Sequence, residues 1–396
     1  MKVIHRKQYI DKITNVLGKG EAIVLTGHRR AGKSCILESL AEVLNTKGHV
    51  IYLDMENPDH AEINDYQKLH EFVKTHTSDS KHNYLLIDEV QEIAQFEKAL
   101  RYIVKQPDMD VVVTGSNATM LSSDIASAFA GRYIRIHIYS LDYSEFIQFY
   151  HLDDNDATMT SYLRWGGLPF LRNIPMEDIR TKTDYLGSIY DTIFVKDIVT
   201  KRQVRNVAFL DNLTRFVADN TGKVFSPTSI AKTMKGKGSH VSSSTVNDYM
   251  TALCETYMID RVNRYDIKGK RIFEQQDKYY FEDVGLRNYL CNDKRNIDIE
   301  KVLENVVYLQ LKRLGYSVYV GQLDGKEIDF VAKQGNETAY FQVSLTIASP
   351  ETYEREFGNL KRIKDNYPKY VITLDPLAEM INDSGIIVKT LRSFLK

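Results

Sequence analysis

Short apolar runs alternate with segments of helical periodicity along the first third of the chain. The apolar runs are AIVLT (22–26), HVIYLDM (49–55), YLLID (84–88), VVVTG (111–115) and YIRIHI (133–138). Continuous β-branched runs are typical of strands covered on both faces, and KSCILESLAEVL after the first run has apolar residues at helical spacing. The pattern predicts an α/β core in which helices cover both faces of a parallel sheet.

Two further patterns follow in the rest of the chain. From about Phe209, three helical segments (FLDNLTRFVADNTG, SPTSIAKTMK and SSSTVNDYMTALCETYMI) precede two strand-like segments, RVNRYD and RIFEQQDKYYFED, with IKGK between them. A helix containing VLENVVYLQLKRL then precedes SVYV, a turn at Asp324-Gly325, EIDFVAK and YFQVS. We therefore expect a helical region with a hairpin, followed by a second α/β region.

The segment GHRRAGKS between the first strand and the first helix fits the P-loop pattern G-x-x-x-x-G-K-[ST]. Gly27 and Gly32 let the backbone curl so that its N–H groups surround phosphate oxygens, and Lys33 reaches the β- and γ-phosphates. The Ser34 hydroxyl is a Mg²⁺ ligand in this motif. The predicted nucleotide-binding residues are Gly27, His28, Arg29, Arg30, Ala31, Gly32, Lys33, Ser34 and Cys35, although Arg29 and Arg30 also fit a solvated loop.

Acidic and polar residues follow two later strands. In YLLIDEVQ, Asp88 and Glu89 end an apolar strand, which is the Walker B arrangement. Asp88 is then expected to hold Mg²⁺ through water, alongside the ligand Ser34, and Glu89 to orient or deprotonate the attacking water. In VVVTGSNA, Ser116 or Asn117 is predicted to contact the γ-phosphate or the water, and we assign Asn117 a catalytic role; the alternative is a polar turn.

These motifs, together with VTGSNATML and AGRYIRIHIYSLDYSEF, resemble the AAA+ ATPases. The chain looks like a prokaryotic branch whose members carry a C-terminal domain of unknown function, and RWGGLPF and YDTIFVKDIVTKRQVRN are similar to segments after the core in that branch. The resemblance implies ATP rather than GTP, with Mg²⁺, and self-association into rings is common in the class. It also implies that Arg132 is an arginine finger or sensor, in cis or in trans; a salt bridge at the start of a strand is the alternative.

The three helices and the hairpin resemble a winged helix-turn-helix. If this region binds duplex DNA, the N-terminal face of its last helix enters the major groove, with Ser244 and Thr245 near the bases. Phosphates would be contacted by Lys235, Lys237, Lys268 and Lys270. Winged helices also contact proteins, so a protein partner stays open.

The C-terminal region looks like the restriction-endonuclease-like fold. Glu304 matches the acid on the first helix of that fold and Asp329 matches the acid on its second strand. The E-x-K position reads Gln342-Val343-Ser344, and an amide is a poor replacement for a carboxylate on a hard cation. We expect a retained fold with a degenerate site and no cleavage, unless Lys333 takes over the lysine role.

Composition narrows the class of protein. The formal net charge is −1 over 396 residues, with Cys35, Cys254 and Cys291 the three cysteines. The cysteines are odd in number and far apart, and they have no C-x-x-C or Cys/His metal spacing, which argues against a disulfide framework and against structural zinc. The N-terminus lacks a signal-peptide core and no apolar run approaches membrane-helix length, so we expect a cytoplasmic protein that does not enter a membrane.

The expected domains are an AAA+ core over 1–145, a helical lid-like linker over 146–208, a winged helix over 209–290 and a nuclease-like domain over 291–396. The predicted function is Mg²⁺-dependent ATP binding and hydrolysis coupled to the C-terminal modules. A DNA-binding regulator that uses ATP as a slow switch and an ATP-dependent nuclease are the alternatives.

Overall fold

The computed structural model describes residues 6–115, 131–236, 241–273, 276–291, 298–376, 382–383 and 385–396. The chain divides into two compact units. The first unit is Met1–Ser140 with Glu255–Tyr257, and the second is Leu141–Cys254 with Met258–Lys396. Among the residues just given, no helix combines the length and apolar character needed to cross a membrane.

The described residues of the first unit form a five-stranded sheet. Its strands are β1 (Ala22–Thr26), β2 (His49–Asp54), β3 (Asn83–Asp88), β4 (Met109–Thr114) and β5 (Tyr133–His137), in the order β2-β3-β4-β1-β5. All neighbouring strands are parallel, and β1, β3 and β4 are buried at every position. The prediction of a buried parallel sheet from continuous apolar runs is confirmed.

Helices cover both faces of this sheet. The helices are α1 (Lys7–Thr14), α2 (Lys33–Asn45), α3 (Tyr66–His76) and α4 (Phe96–Ile103), with 3₁₀ turns at Pro58–His60 and Val90–Glu92. One apolar cluster joins α1 and α2 to Ile23 and Leu25 of β1, and another joins α3 and α4 to Ala22 and Val24. Because side chains alternate along a strand, these clusters lie on opposite faces.

The second unit begins with a helical part. Its helices are α5 (Tyr143–Tyr150), α6 (Asp156–Trp165), α7 (Ile179–Asp191), α8 (Val207–Asp219), α9 (Pro227–Gly236), α10 (Ser243–Glu255) and α11 (Val284–Leu290), with a 3₁₀ segment at Pro169–Asn173. A π-helix, Thr192–Thr200, continues directly from α7. One apolar cluster runs through these helices from Trp165 to Leu290.

The predicted order of three helices and a hairpin is present as α8, α9 and α10 followed by β6 (Ile259–Val262) and β9 (Lys278–Phe281), which are antiparallel. A single bridge joins Phe225 to Asp277. Between these strands lie β7 (Arg264–Asp266) and β8 (Arg271–Ile272). They do not form a separate wing, because β7 pairs in parallel with β10 (Ser317–Leu323) and so extends the C-terminal sheet.

That sheet has eight strands among the described residues. It contains β7 and β8 with β10 (Ser317–Leu323), β11 (Lys326–Gln334), β12 (Glu337–Ser344), β13 (Lys369–Thr373), β14 (Asn382–Asp383) and β15 (Ile386–Thr390), in the order β14-β15-β13-β12-β11-β10-β7-β8. The accompanying helices are α12 (Ile299–Arg313), α13 (Pro350–Lys361) and α14 (Leu391–Phe394). Asp324 and Gly325 have φ values of 46° and 79° at the turn between β10 and β11, where the sequence predicts a turn.

The division into compact units differs from the four predicted domains. The N-terminal segment of the first unit ends at Ser140, near the predicted boundary after residue 145. The predicted boundaries at 208/209 and 290/291 fall inside the second unit, since one sheet takes strands from both sides of 290. The finer domain boundaries stay predictions.

Candidate functional site

The loop between β1 and α2 depends on two glycines. Gly27 has φ 142°, and a Cβ there would lie 2.1 Å from the carbonyl oxygen of Ile138. Gly32 has φ 98° and begins α2 in the left-handed region. Side chains are strained or excluded at both positions, so the two fixed glycines of the motif follow from backbone geometry.

Lys33 lies inside this loop. Its side chain is 4% exposed, and Nζ donates to the carbonyl oxygens of Gly27, at 3.0 Å, and His28, at 3.1 Å. A phosphate offers an ammonium group a charged acceptor, which makes a stronger hydrogen bond than a neutral carbonyl does. Ser34 is half-buried beside it, while Cys35 is exposed.

The other side chains of the loop differ in how deeply they are buried. His28 is fully buried, and burial lowers its pKa to about 4, so the ring is neutral at pH 7. Its Nδ1 donates to the Arg29 carbonyl at 2.6 Å. Ala31 is buried, Arg29 is half-buried and Arg30 is exposed with φ 65°. His28 and Ala31 can therefore offer a nucleotide only their backbone groups.

Arg6, which the sequence analysis did not single out, contacts the loop through its side chain. Its guanidinium donates to the carbonyl oxygens of Ala31 (3.1 Å), Tyr139 (2.8 Å) and Ser140 (3.4 Å), and it lies 4.5 Å from the ring centre of Tyr9. The side chain is buried. A lone arginine before an amphipathic helix matches no motif, so only the fold reveals this contact.

Asp88, at the end of β3, meets Ser34. The Ser34 hydroxyl donates to the Asp88 carboxylate, as does the hydroxyl of Thr114 at the end of β4. Burial raises the pKa of Asp88, and these two hydrogen bonds act against that rise. The two predicted Mg²⁺ ligands are thus brought together.

The surrounding charges suit a cation. Asp54 of β2 is aligned with Asp88 of β3. Burial raises the pKa of Glu38 on α2, and the charges of Asp88 and Asp54 raise it further. No group of three or more His, Cys, Asp and Glu side chains in the described ranges forms a metal cage. A hydroxyl and one carboxylate are a fitting partial set for Mg²⁺, which takes its other ligands from phosphates and water.

Glu89 is fixed through its backbone. It has φ 52°, an uncommon conformation for a residue with a side chain, and its N–H donates to Thr114 Oγ1 at 2.9 Å. Its carboxylate Oε2 accepts a hydrogen bond from Nε2 of Gln91. Thr114 therefore links Asp88 to Glu89, whereas Ser116 and Asn117, predicted for this strand end, lie outside the described residues.

Arg132 is not near the loop of its own chain. It precedes β5, and its carbonyl accepts from the N–H of Ala22, which begins β1. The loop starts at the other end of that five-residue strand, about 16 Å away at 3.3 Å per residue. The backbone of Arg132 therefore lies at the opposite end of the strands from the loop, and its side chain is exposed. The role of Arg132 as an arginine finger or sensor, in cis or in trans, stays a prediction.

In the second unit, three of the four nuclease-like positions come together. The N–H of Asp329 donates to Gln342 Oε1 at 2.7 Å, and Asp329 Oδ2 accepts from the N–H of Val343 at 2.8 Å. Burial raises the pKa of Asp329, and the charge of Glu304 raises it further. Ser344 instead donates to the Thr346 carbonyl at 2.8 Å.

Lys278, on β9, supplies a cation that the sequence did not predict. It is 2% exposed, and its Nζ lies 2.9 Å from Glu304 Oε1 and 2.7 Å from Glu327 Oε1. Burial by itself would lower its pKa, but the two carboxylates raise the pKa above the ordinary lysine value. Lys333 does not take this role, since its Nζ lies 3.7 Å from the ring centre of Tyr265.

The predicted DNA contacts are spread over the second unit. Ser244 is exposed and Thr245 half-buried in the first turn of α10, and Lys235 is exposed at the end of α9. Lys268 lies 3.6 Å from Asp324, and Lys270 has φ 50° in the β7–β8 turn. Lys237 lies outside the described residues.

A cavity of about 660 Å³ lies beside the start of α10. Its lining includes Arg202 and Arg205, which follow the π-helix, together with Ser242, Thr245, Asp248 and Tyr249. Both arginines are exposed, and no carboxylate among the described residues pairs with Arg205.

Comparison with known proteins agrees with this fold. Residues 19–147 match the family described as "AAA domain", and residues 157–297 match a domain of unknown function, DUF8612. An uncharacterized protein of Haemophilus influenzae is 33% identical over 380 residues, covering 94% of this chain and 93% of its own. The uncharacterized protein MJ1544 of Methanocaldococcus jannaschii is 26% identical over 394 residues, covering 94% and 85%.

The chain is therefore an AAA+ P-loop protein, and it belongs to the same family as the Haemophilus influenzae protein. Among solved structures, the Walker-type ATPase PABY2304 of Pyrococcus abyssi is similar, with a TM-score of 0.53 and 15% identity. The match covers 72% of this chain and 95% of that one. At this identity the likeness shows the fold.

Proposed function

We propose that the protein binds ATP with Mg²⁺ at Gly27–Ser34 and hydrolyses it. The observation that carries this proposal is the continuous connection from the loop to the acids: Ser34 donates to Asp88, and Thr114 joins Asp88 to the backbone of Glu89. A loop that only bound nucleotide would not need an acid fixed in a strained backbone conformation beside it.

Each group then has a defined task. Loop N–H groups and Lys33 would hold the phosphates. Ser34 and Asp88 would hold Mg²⁺, whose charge would offset the negative charge of the phosphates. Glu89 accepts a proton from water as the water oxygen bonds to the γ-phosphorus. The bond from that phosphorus to the bridging oxygen of ADP breaks, which releases ADP and phosphate.

The test is steady-state phosphate release from ATP with Mg²⁺, together with binding of a fluorescent ATP analogue. Lys33→Ala should lose binding, and Lys47→Ala, an exposed lysine beyond α2, is its control. Glu89→Gln should bind ATP normally and lose about 10²- to 10⁴-fold in turnover. The control for that variant is Glu92→Gln, at an exposed position three residues along.

The slow-switch alternative predicts another result. A regulator that only binds ATP would give the same low phosphate release in the wild type and in Glu89→Gln, with equal affinities. That outcome would remove hydrolysis from the proposal and leave the nucleotide site in place.

We also propose, as a second function, contact with duplex DNA at the start of α10. The helix Ser243–Glu255 contains no lysine or arginine, so it cannot neutralise phosphates by itself. Arg202 and Arg205 border the cavity at its first turn and supply that charge. A protein partner is the other candidate for the surface around these two arginines. Salt-sensitive binding of a DNA duplex would favour DNA over a protein partner.

We propose that the nuclease-like cluster does not cut DNA. The ammonium group of Lys278 lies between the carboxylates of Glu304 and Glu327, so the cluster already has its cation. Gln342 donates to Glu356 Oε2 at 2.5 Å, and therefore serves the packing of β12 against α13.

A further inference from the structure

Gln91 lies against the acid that we assign as the base. It belongs to the 3₁₀ turn Val90–Glu92 directly after β3, and its Nε2 donates to Glu89 Oε2. The sequence motif gives Gln91 no role, because it requires only the acids at the end of the strand.

The backbone of Glu89 is held from the other side. Its N–H donates to Thr114 Oγ1 at 2.9 Å, and that hydroxyl donates to Asp88. Its φ of 52° lies in the left-handed region, which residues with a side chain seldom adopt. The remaining freedom of Glu89 is rotation of its side chain, and the contact with Gln91 restricts that rotation.

The other end of the same amide is buried. Gln91 Oε1 has almost no contact with solvent, and no hydrogen-bond donor among the described residues reaches it. A water molecule therefore has no room beside this oxygen, and the group through which Gln91 acts on Glu89 is its N–H group.

We propose that Gln91 positions the base, Glu89, during ATP hydrolysis. Its N–H group holds the Glu89 carboxylate in the orientation in which the carboxylate takes the proton of the attacking water. Gln91 gains and loses no proton; the proton moves from water to Glu89 as the new phosphorus–oxygen bond forms. This inference rests on the proposed hydrolysis at Gly27–Ser34.

The first test is Gln91→Leu, which keeps a similar volume and removes donor and acceptor. We expect kcat to fall at least about tenfold, since a misplacement of 1 Å can cost on the order of 10²-fold. The KM for ATP and the affinity for the fluorescent analogue should stay within about twofold, because Gln91 does not contact the phosphates. Unchanged kcat in a folded Gln91→Leu protein would overturn the proposal.

The second test is Gln91→Glu, which separates positioning from packing. The new side chain keeps the size of glutamine but brings a second carboxylate against Glu89, which it repels instead of holding. We expect kcat at about pH 7.5 to fall at least as far as in Gln91→Leu. A wild-type kcat in a folded Gln91→Glu protein would contradict the proposal.

Controls keep the two proposals apart. Gln106→Leu, at an exposed glutamine before β4, should behave as the wild type. If Glu89→Gln loses turnover while Gln91→Leu keeps it, hydrolysis stands and the role of Gln91 is wrong. If Glu89→Gln keeps turnover, or the wild type has none, the proposed base is wrong and the role of Gln91 falls with it.

Discussion

At the scale of single residues, the positions that a motif fixes differ from those that packing fixes. Gly27 and Gly32 carry positive φ values in the loop, and both were predicted because the motif states that geometry. Thr114 and Lys278 were not predicted. Each acts through a contact with a residue that is more than twenty positions away along the chain, and no local spacing records such a contact.

Lys278→Met should destabilise the second unit. Removing the ammonium leaves the carboxylates of Glu304 and Glu327 without their cation, and breaking a buried pair in this way costs about 3 kcal/mol. Urea unfolding measures the loss, and Lys326→Met, at an exposed neighbouring lysine, should change the free energy of unfolding by less than about 0.5 kcal/mol.

The loss of stability in Lys278→Met should also depend on pH, and the pKa of Asp329 sets the direction of that dependence. Asp329 already has a raised pKa, first because of burial and then because of Glu304, while the charge of Lys278 and the N–H of Val343 lower that pKa. Without Lys278 the folded state takes up protons more readily than the unfolded state as the pH falls. The stability deficit of Lys278→Met should therefore shrink from about pH 8 to about pH 5. A deficit independent of pH would show that the lysine contributes packing alone.

At the scale of elements, the nucleotide site is assembled by the order of the strands. β1 ends at the loop and β3 ends at Asp88, with β4 between them, so Thr114 at the end of β4 reaches the Asp88 carboxylate and the Glu89 backbone. Helix α1 also takes part, since Arg6 at its start holds the loop carbonyl of Ala31. The alternation of strands and helices was predictable, but the contact between α1 and the loop was not.

Arg6→Lys tests the contribution of α1. Lysine keeps the charge but cannot offer the planar fork that reaches the carbonyls of Ala31, Tyr139 and Ser140. We expect a loss of about 2 kcal/mol in the stability of the first unit, the range for hydrogen bonds to a charged group, and weaker ATP binding.

Thermal unfolding and the affinity for the fluorescent ATP analogue measure this change. Arg101→Lys, at an exposed position on α4, is the matched control. Normal ATP affinity in a destabilised Arg6→Lys protein would show that Arg6 supports the fold and not the loop.

At the scale of the whole molecule, the question is whether the two units communicate. The first unit contains the nucleotide site, and the second contains α10 with Arg202 and Arg205. The Arg202→Ala/Arg205→Ala double variant should weaken binding of a labelled duplex and flatten its dependence on salt, because two phosphate contacts are lost. Lys196→Ala/Lys201→Ala, at two exposed lysines of the preceding segment, is the control pair.

Coupling between the nucleotide site and the surface around Arg202 and Arg205 is measured as phosphate release with and without the same duplex. Phosphate release that rises with DNA in the wild type, but not in the arginine variant, would connect the two sites. Turnover indifferent to DNA, with intact duplex binding, would leave two independent activities. If the wild type binds no duplex, the DNA proposal is wrong, and the protein partner becomes the remaining candidate for this surface.

The sequence by itself determined the parallel sheet, the loop that opens α2 and the acids after β3, because period, glycine geometry and motif spacing are local properties. It also predicted the order of three helices and a hairpin. Only the tertiary structure decided that β7 and β8 join the C-terminal sheet, that Arg132 lies at the opposite end of the strands from the loop, and that Lys278 pairs with Glu304 and Glu327. These features depend on which surfaces pack together, and burial makes a contact between distant residues strong without leaving a pattern along the chain.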